Sequence, residues 1–589
     1  MRLRSVFGLA LRAAPGRLTG YVLLVLATGA APVAGAWLTR TVIDDLIAGR
    51  AYLGPAALLA GVGVLLGATP HLATYLRHEL DRRAGRTAQR RLLDAVDRLA
   101  GLRRFEDPDY LDRLRLAQQT GDLTCGEVVD GALGVLRSAV TIAGFAASLA
   151  LLGPWVTAAL LAGGVPTVLA ELGLARQRAR MYWRIGPVQR REMFYTHLLT
   201  TIGVAKELRL FAATPFLHAR ILTDRATADT ARRRVDRNHA AVQTVLAVLA
   251  AAVAGAGLLW AVAAARDGRL TPGDVVVFVT AVAGVQAALA TLADDGARVH
   301  FALENFAHYQ TVVGAGPDLP PGTRDPGPLR DAIELRDVWF RYTDEHPWVL
   351  RGVNLVIPRG TAVALVGRNG SGKSTLVKLL CRFYDPTRGA ILWDGTDLRE
   401  LDVAALRRHI GAVFQDHVAY DLTAAENIAL SEVDDPATVR PAATTAGADG
   451  FVRRLPRGYA TLLSRVFATG EEDHPEAGVV LSGGQWQRLA LARALHHAGR
   501  DLMVLDEPSA GLDAEAEQEV HRTLLDAATG STCLLVSHRL NAVRHADHVV
   551  VLDAGTVVEH GDHTSLVAAG GQYARLFAIQ AEGYHPGPP

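Results

Sequence analysis

The sequence predicts a two-part protein: a membrane all-α domain with six helices, followed by an α/β domain built around a phosphate-binding loop. The chain has 589 residues, too many for one hydrophobic core. Long apolar runs alternate with arginine-rich stretches up to about Thr291, whereas short apolar runs and glycine turns dominate after about Asp331. Between them, Gly314 to Pro328 has the proline and glycine content of a linker.

These boundaries divide the chain into a transmembrane domain at 1–312, a linker at 313–330, an α/β domain at 331–580 and a tail at 581–589. The formal net charge is +1, which gives no bulk attraction to nucleic acid, so we predict no nucleic-acid partner. The cysteines are scattered, without metal-ligand spacing, and too few for a disulfide framework, so we interpret them as small buried residues. They are Cys125, Cys381 and Cys533.

Apolar stretches in the first half are candidates for membrane helices, because each approaches the roughly 20 residues that a bilayer core requires. One such stretch alone fits a buried helix of a soluble protein, but about six in a row with almost no internal charge favour a membrane domain. Only a tight turn at 151–155 separates the third from the fourth. The stretches are centred near Leu24, Leu65, Phe145, Leu161, Val253 and Val282.

Arginine alternates between the two sides of the predicted membrane domain. It crowds the segments after the second and fourth spans, whereas the loops after the first, third and fifth are short and nearly free of basic residues. This predicts a multi-pass protein of the plasma membrane with the N-terminus and the α/β domain in the cytoplasm. A signal peptide is the alternative for the first span, but its apolar run continues towards Ile47, so we predict a retained helix.

The cytoplasmic connections between spans are long and have tips that mix apolar and charged residues. Phe105 to Leu114 and Ala205 to Phe216 are candidate docking segments for the α/β domain. Solvated helix hairpins are the alternative. Charged residues near the apolar spans are few, and because all lie near span ends we favour structural roles for them. They are Asp44, Asp45, Glu171, Asp294 and Asp295.

The segment GRNGSGKST fits the phosphate-loop pattern G-x-x-x-x-G-K-[ST]. A predicted strand, Ala362 to Val366, precedes it, and a helix is predicted from Leu376 to Leu380. Backbone N–H groups of such a loop wrap phosphates, Lys373 neutralises them, and the Ser374 hydroxyl can ligate Mg²⁺. The predicted nucleotide contacts in the loop are Gly367, Arg368, Asn369, Gly370, Ser371, Gly372, Lys373, Ser374 and Thr375.

Three further apolar runs end in polar side chains suited to phosphate chemistry. Leu502 to Leu505 precedes Asp506, which suits a Mg²⁺ shell, and Glu507, which suits a base that polarises the attacking water. A helix cap before a proline is the alternative for these acids. Gln415 can join the Mg²⁺ shell, and His538 can contact the γ-phosphate. A lone histidine is more often structural, so that prediction depends on the other motifs.

A second glycine turn, LSGGQ at residues 481–485, opens onto a helical run and can also face phosphate. With these motifs on hand, the second half resembles the nucleotide-binding domain of ABC transporters. The whole chain is similar to an ABC half-transporter of the exporter type, a six-span domain fused to a C-terminal ABC-type P-loop NTPase domain. Residues 367–375 match Walker A, Leu502 to Glu507 match Walker B, and LSGGQ matches the signature.

The resemblance implies further roles. Ser509 to Asp513 would be the D-loop, Gln415 the Q-loop and His538 the H-loop. Tyr342 would stack on adenine. In ABC proteins the signature of one nucleotide-binding domain faces ATP on Walker A of a second, so Ser482, Gly483, Gly484, Gln485 and Asp513 are implied ATP-site residues. Catalysis would rest on Glu507, His538, Lys373 and Gln415, and Mg²⁺ binding on Ser374, Gln415 and Asp506.

The implied function is an ATPase that drives export of hydrophobic small molecules, lipids or peptides across the lipid bilayer, with ATP and Mg²⁺ as cofactors. An ATP-regulated gate or sensor, and an importer with an exporter fold, are alternatives. The partner would be a second half-transporter. Because both halves of the composite site are intact we favour a homodimer over a heterodimer. The sequence does not identify the substrate.

Two features depart from the family pattern. Ser464 to Pro475 resembles an inserted acidic surface loop, and Glu476 then falls where the family has a glutamate that contacts docking helices of the partner. Trp486 occupies a position where the family more often has a polar or basic residue. Packing against the insertion is one interpretation of this tryptophan.

Overall fold

The computed structural model describes residues 2–464, 478–496, 501–508, 532–538 and 540–582. The chain divides into two compact units, the first comprising Met1–Asp97 and Pro108–Ala315. The second comprises Arg98–Asp107 and Gly316–Pro589. A short connection between two long helices of the first unit is thus part of the second unit.

The first unit is helical throughout its described elements. Its long helices continue past the predicted spans, as the arginine-rich connections between spans require. The helices are α1 (Arg2–Ala13), α2 (Pro15–Ile47), α3 (Leu53–Asp97), α4 (Pro108–Leu152), α5 (Pro154–Thr200), α6 (Ile202–Leu210), α7 (Thr214–Arg266) and α8 (Pro272–Val313).

Helices α2, α3, α7 and α8 and the Gly126–Leu152 part of α4 are long and apolar enough to cross a membrane. They contain five of the predicted span centres. The centre near Leu161 lies in α5, among residues whose side chains are outside the described set, so this span stays a prediction. Only 6% of the apolar window of α3 is buried within the chain, so this surface requires lipid or another protein to cover it.

Helix α1 is an element that the sequence analysis missed. Its residues Val6, Leu9 and Ala10 are buried in an apolar cluster shared with α2, α3, α4 and α8. Arginines flank these residues along the chain, at positions 2, 4 and 12. Their helical spacing, at i, i+3 and i+4, is the signal that identifies the buried face.

The start of α8 is fixed by polar contacts with the end of α2. Thr271 and Asp274 form a capping box, and Asp274 lies 2.9 Å from the guanidinium Nε of Arg40. The Asp44 carboxylate accepts hydrogen bonds from Thr271 Oγ1 at 2.9 Å and from the Gly273 amide at 3.1 Å. This carboxylate therefore ties two helix ends together.

The other charged residues near span ends also have local partners where they are described. Asp45 lies 3.8 Å from Arg50, and Asp294 lies 3.5 Å from Arg298, which also contacts Asp295. The side chain of Glu171 is outside the described set.

The candidate docking segments do not form single helices. In the first, residues up to Asp107 belong to the second unit, and Pro108 begins α4. In the second, α6 ends at Leu210 and α7 begins at Thr214, with Ala212 between them at φ +49°. The apolar side chains around this turn are exposed, including Leu210 at 78% and Phe211 at 71%.

The second unit contains two sheets. An antiparallel sheet has the order β2-β1-β4-β5, and a mainly parallel sheet has the order β10-β9-β3-β8-β7-β6. The strands are β1 (Ala332–Phe340), β2 (Leu350–Pro358), β3 (Ala362–Val366), β4 (Arg388–Trp393), β5 (Thr396–Asp397), β6 (Ile410–Val413), β7 (Leu502–Asp506), β8 (Thr532–Val536), β9 (His548–Asp553) and β10 (Thr556–Gly561).

Short helices complete the second unit. Helix α9 begins at Lys373, three residues before the predicted start, because Gly372 adopts a left-handed conformation (φ +106°) and the chain turns into the helix directly after it. The helices are α9 (Lys373–Leu380), α10 (Val403–Arg408), α11 (Ala424–Ala429), α12 (Arg440–Thr445), α13 (Asp449–Val452), α14 (Gly483–His496), α15 (Leu540–Val543), α16 (His563–Ala568) and α17 (Gln572–Glu582).

Candidate functional site

Four neighbouring parallel strands bring the predicted catalytic groups to one edge of the sheet. Strands β3, β8, β7 and β6 are adjacent in that order, and their pairings are parallel. The phosphate loop (residues 367–375) follows β3, and Gln415 follows β6. Glu507 directly follows β7, and His538 lies two residues beyond the end of β8 rather than within it. The carboxyl ends of parallel strands are where open α/β sheets place ligands.

The phosphate loop requires glycine at Gly367 and Gly372 for different reasons. A Cβ on Gly367 would lie 2.1 Å from the carbonyl oxygen of Leu552, a backbone atom that cannot give way. Gly372 has φ +106°, and a Cβ there would lie 2.7 Å from Leu350. The loop is thus pressed against its own sheet, with no room for side chains at these two positions.

Lys373 folds back over the loop. Its Nζ donates to the carbonyl oxygens of Gly367 at 2.8 Å and Arg368 at 3.1 Å. Burial lowers the pKa of Lys373, and the charges of Glu507 and Asp506 oppose that shift. A buried ammonium hydrogen-bonded to carbonyl oxygens has an electrostatic preference for an added anion. Among the described residues, none is hydrogen-bonded to the buried Ser371 Oγ in the same loop, so a phosphate oxygen would complete its hydrogen bonding.

Glu507 is held between two other predicted catalytic residues. Its Oε2 accepts from Gln415 Nε2 at 2.8 Å, and its Oε1 lies 3.0 Å from His538 Nδ1. The backbone of Glu507 has φ +50°, in the left-handed region, while its amide still donates to Val536 at 2.9 Å. The chain turns sharply here, so that the side chain leaves the strand at the loop edge.

Asp506 precedes Glu507 and is 6% exposed. Burial raises the pKa of Asp506, and a hydrogen bond from the Ser374 side chain works against that rise. A hydroxyl and a buried carboxylate in contact are the hard oxygen donors that Mg²⁺ prefers, so the residues present fit this ion. Gln415 donates to Glu507 with its amide nitrogen, which leaves its amide oxygen as the group suited to a cation.

Tyr342 lies in an aromatic cluster beside the phosphate loop. Its hydroxyl is 3.1 Å from Thr375 Oγ1. Its ring meets those of Phe340 and Tyr384 edge to face, with centroids 5.0 Å and 5.4 Å away. The predicted adenine-stacking residue is therefore hydrogen-bonded directly to the predicted phosphate loop.

The signature turn has mainly local contacts. The Ser482 amide donates to Gln485 Oε1 at 2.9 Å, and the Gln485 amide lies 3.4 Å from Ser482 Oγ, a reciprocal cap at the start of α14. In the part of the chain that the structure describes, a Cβ on Gly483 would meet nothing within 4 Å. Among the described residues, no hydrogen bond joins Ser482 or Gln485 to the phosphate loop. The turn is an open helix N-terminus.

Three residues of this region were not singled out as site residues or were interpreted differently. Gln487 is buried and its Nε2 donates to the Pro508 carbonyl, next to Glu507. Trp486 packs against the apolar cluster around α11, α12 and α14, and the insertion considered as its partner lies outside the described residues. Gln580 in α17 accepts from the Leu540 amide at 2.8 Å and donates to the His538 carbonyl at 2.5 Å. Its sequence position carries no signal of this contact.

Several predicted features lie outside the described residues. These are Asp513 with the rest of Ser509–Asp513, Glu476, and the proposed insertion beyond Ser464.

Comparison with known proteins gives three kinds of match. A family model described as ABC transporter matches residues 350–510. An ATP-dependent lipid A-core flippase of Methylococcus capsulatus is 31% identical over 542 residues, which cover 89% of this chain and 85% of that protein. One from Chromohalobacter salexigens is 36% identical over 342 residues, 58% of this chain and 57% of that protein.

A cyclolysin secretion/processing ATP-binding protein of Bordetella pertussis is 44% identical over 254 residues, 43% of this chain and 34% of that protein. Several of these alignments thus span little more than half of the curated relatives, or less. Among solved structures, one of a bacterial Atm1-family ABC exporter with ATP bound superimposes with a TM-score of 0.79 at 23% identity. It covers 98% of this chain and 100% of that one, which shows a shared fold.

Proposed function

Because the chain belongs to the ABC transporter family, with an exporter fold and an ATP-binding domain, we propose that it is an ATP-driven exporter that works as a dimer. One observation carries the proposal. Glu507 is held by Gln415 and His538 at the sheet edge where the phosphate loop begins, and the same chain carries helices long and apolar enough to span a membrane.

ATP would bind with its adenine on Tyr342 and its phosphates in the loop at 367–375. Lys373 would release the carbonyl oxygens of Gly367 and Arg368 to contact the phosphates. Glu507 would accept a hydrogen bond from the attacking water, and His538 would contact the γ-phosphate. The water oxygen bonds to the γ-phosphorus as the bridging bond to ADP breaks, and the water proton passes to the phosphate oxygens or Glu507.

Mg²⁺ would be held by Ser374, Asp506, directly or through water, and the amide oxygen of Gln415. When bound, this ion neutralises charge that develops on the β- and γ-phosphates. Asp506 and Ser374 contribute a preassembled pair of oxygen donors, because they already contact each other at the base of the loop.

The open signature turn supports a composite ATP site. Ser482 and the amides near Gly484 stand at a helix N-terminus whose hydrogen bonds are mainly local, so they can serve a phosphate carried by a second chain. Asp513 would lie at the same interface. ATP would join two such domains, and hydrolysis would remove the γ-phosphate that holds them, which is a ligand-dependent two-state element.

We favour a homodimer, because one chain supplies Lys373, Ser482, Glu507 and His538. The arginine distribution supports a plasma-membrane protein with the N-terminus and nucleotide-binding domain in the cytoplasm. We keep the domain limits at 1–312, 313–330, 331–580 and 581–589. Docking segments would pass closure to the membrane helices, with the exposed turn at Leu210 and Phe211 as one of them.

For substrate, we propose hydrophobic small molecules, lipids or peptides. The relatives carry names for lipid A-core flipping and for cyclolysin secretion, and the long helices present largely apolar surface.

The test is the chain alone in lipid nanodiscs. We expect a dimeric mass and ATP hydrolysis that Glu507→Gln lowers at least about 100-fold while ATP binding persists. A folded monomer without hydrolysis would reject the homodimer and point to a second, different half-transporter. A dimer that hydrolyses ATP but moves no lipid or dye in sealed vesicles would favour a gate or sensor.

A further inference from the structure

The loop Arg98–Asp107 joins α3 to α4 along the chain and belongs to the second unit. The Gly101 amide donates to the Asp318 carboxylate at 2.9 Å, and the Leu102 amide donates to the Phe383 carbonyl at 3.1 Å. Arg407 Nη2 donates to the Ala100 carbonyl at 2.6 Å. These contacts fix the backbone of the loop against the nucleotide-binding domain.

Glu106, near the end of this loop, makes two further contacts with side chains of that domain. Its Oε1 accepts from Lys378 Nζ at 2.8 Å, and its Oε2 accepts from Tyr384 Oη at 2.5 Å. Burial of Lys378 would lower its pKa, but the hydrogen bonds and charges of Glu106 and Tyr342 together outweigh burial, so the pKa of Lys378 is raised. Burial would raise the pKa of Glu106, but its contacts with Lys378 and Tyr384 together outweigh burial, so that pKa is lowered. The pair is therefore charged at neutral pH.

Both partners of Glu106 contact Tyr342. Lys378 Nζ lies 5.3 Å from the centroid of the Tyr342 ring, a cation–π distance. Tyr384 meets the same ring edge to face at 5.4 Å, with an interplanar angle of 89°. The Tyr342 hydroxyl is in turn 3.1 Å from Thr375 in the phosphate loop. A continuous set of contacts thus runs from Glu106 to the residue expected to stack on adenine.

We propose that Glu106 is a positioning residue for adenine binding, which acts through Lys378 and Tyr384 on the ring of Tyr342. This inference rests on the proposed ATP-binding role of Tyr342. The loop between two membrane helices would then respond to the base of the nucleotide, in addition to any response to its phosphates.

Preorganisation of the Tyr342 ring predicts that Glu106 strengthens ATP binding. A ring that neighbouring groups already hold loses less conformational freedom when adenine stacks on it, so ATP binds more tightly. Without Glu106, Lys378 and Tyr384 lose a common partner and Tyr342 loses part of its support. By linkage, ATP should in turn favour the loop position in which Glu106 makes both contacts.

The experiment compares ATP with ribose 5′-triphosphate, which has the phosphates but no base, on the full chain in nanodiscs. For Glu106→Ala we expect the KM for ATP to rise about fivefold with kcat within about twofold, and the inhibition constant of the base-free triphosphate to stay unchanged. Glu106→Gln, which keeps an acceptor oxygen, should show a smaller rise. The KM of the double variant Lys378→Met with Glu106→Ala should be close to that of whichever single variant has the higher KM.

The matched control is Glu345→Ala, which removes the same charge from an exposed position three residues after Tyr342. Its KM for ATP should equal that of the wild type. An unchanged or lower KM in Glu106→Ala, or an equal weakening of ATP and of the base-free triphosphate, would overturn the proposal. Failure of the proposed function is distinguishable, because the wild-type chain would then not hydrolyse ATP.

Discussion

The two glycine turns of the second unit differ in how much of their surroundings one chain supplies. The phosphate loop is closely packed. Gly367 lies against the backbone of Leu552, and Lys373 is hydrogen-bonded to a carbonyl oxygen of the loop. The signature turn is open: among the described residues, no atom lies within 4 Å of a Cβ built on Gly483. One chain therefore fixes the shape of the phosphate loop, whereas the signature turn leaves space in which a second molecule can bind.

The largest effect should come from the packed turn. Gly367→Ala would force Cβ into the Leu552 carbonyl, so we expect loss of ATP binding by at least about 100-fold and destabilisation of about 3 kcal/mol. The measurements are nucleotide binding and thermal unfolding of the nanodisc sample. Gly483→Ala is the matched change in the open turn. It should leave thermal stability and ATP binding nearly unchanged, and an equal loss in both variants would contradict the comparison.

A smaller effect should come from the open turn. Ser482→Ala removes a hydroxyl at the start of α14, so kcat should fall about 10-fold or more while stability falls by about 1 kcal/mol or less. The sharper measurement is co-expression of Ser482→Ala chains with Lys373→Ala chains. If each site joins two chains, mixed dimers regain one intact site, and activity should return to about a quarter of the wild-type value. No recovery would mean that each chain completes its own site.

The smallest effect should come from the support behind His538. Gln580→Ala removes the amide that bridges the backbone of His538 and Leu540, so kcat should fall about threefold with KM unchanged. Gln580→Glu keeps an acceptor oxygen but cannot donate, so its kcat should lie between those of the wild type and Gln580→Ala. Ile579→Ala, at an exposed position on the same helix, is the control. A KM change without a kcat change would place Gln580 in nucleotide binding instead.

Much of the ATP site follows from the sequence, because its groups sit where apolar runs end. Strand β3 ends at Val366, as predicted, and Asp506 and Glu507 follow the buried run of β7. The parallel order of β3, β8, β7 and β6 brings these ends together, although the sequence could not give the strand order. Their roles in ATP hydrolysis remain predictions.

The features that the sequence did not predict depend mainly on contacts between distant segments. Glu106 and Gln580 lie 272 and 42 residues away in sequence from their partners Lys378 and His538. Glu106 falls in a predicted docking segment, but no local pattern identifies its partners, and none marks Gln580. Helix α1 was missed because its buried face is short and arginines flank it on both sides. The packing of Trp486 likewise depends on an apolar cluster whose residues come from distant segments.

The parallel pairing of β7 with β8 makes the positions of Asp506 and Glu507 depend on the number of residues in β7. Asp506 and Glu507 occupy successive positions, and Asp506 pairs with Val536 two residues before His538. Deleting one residue within β7 would move Glu507 into the buried place of Asp506 and would put Pro508 where Glu507 now stands. The length of β7 therefore decides which of the two acids is buried and which lies beside Gln415 and His538.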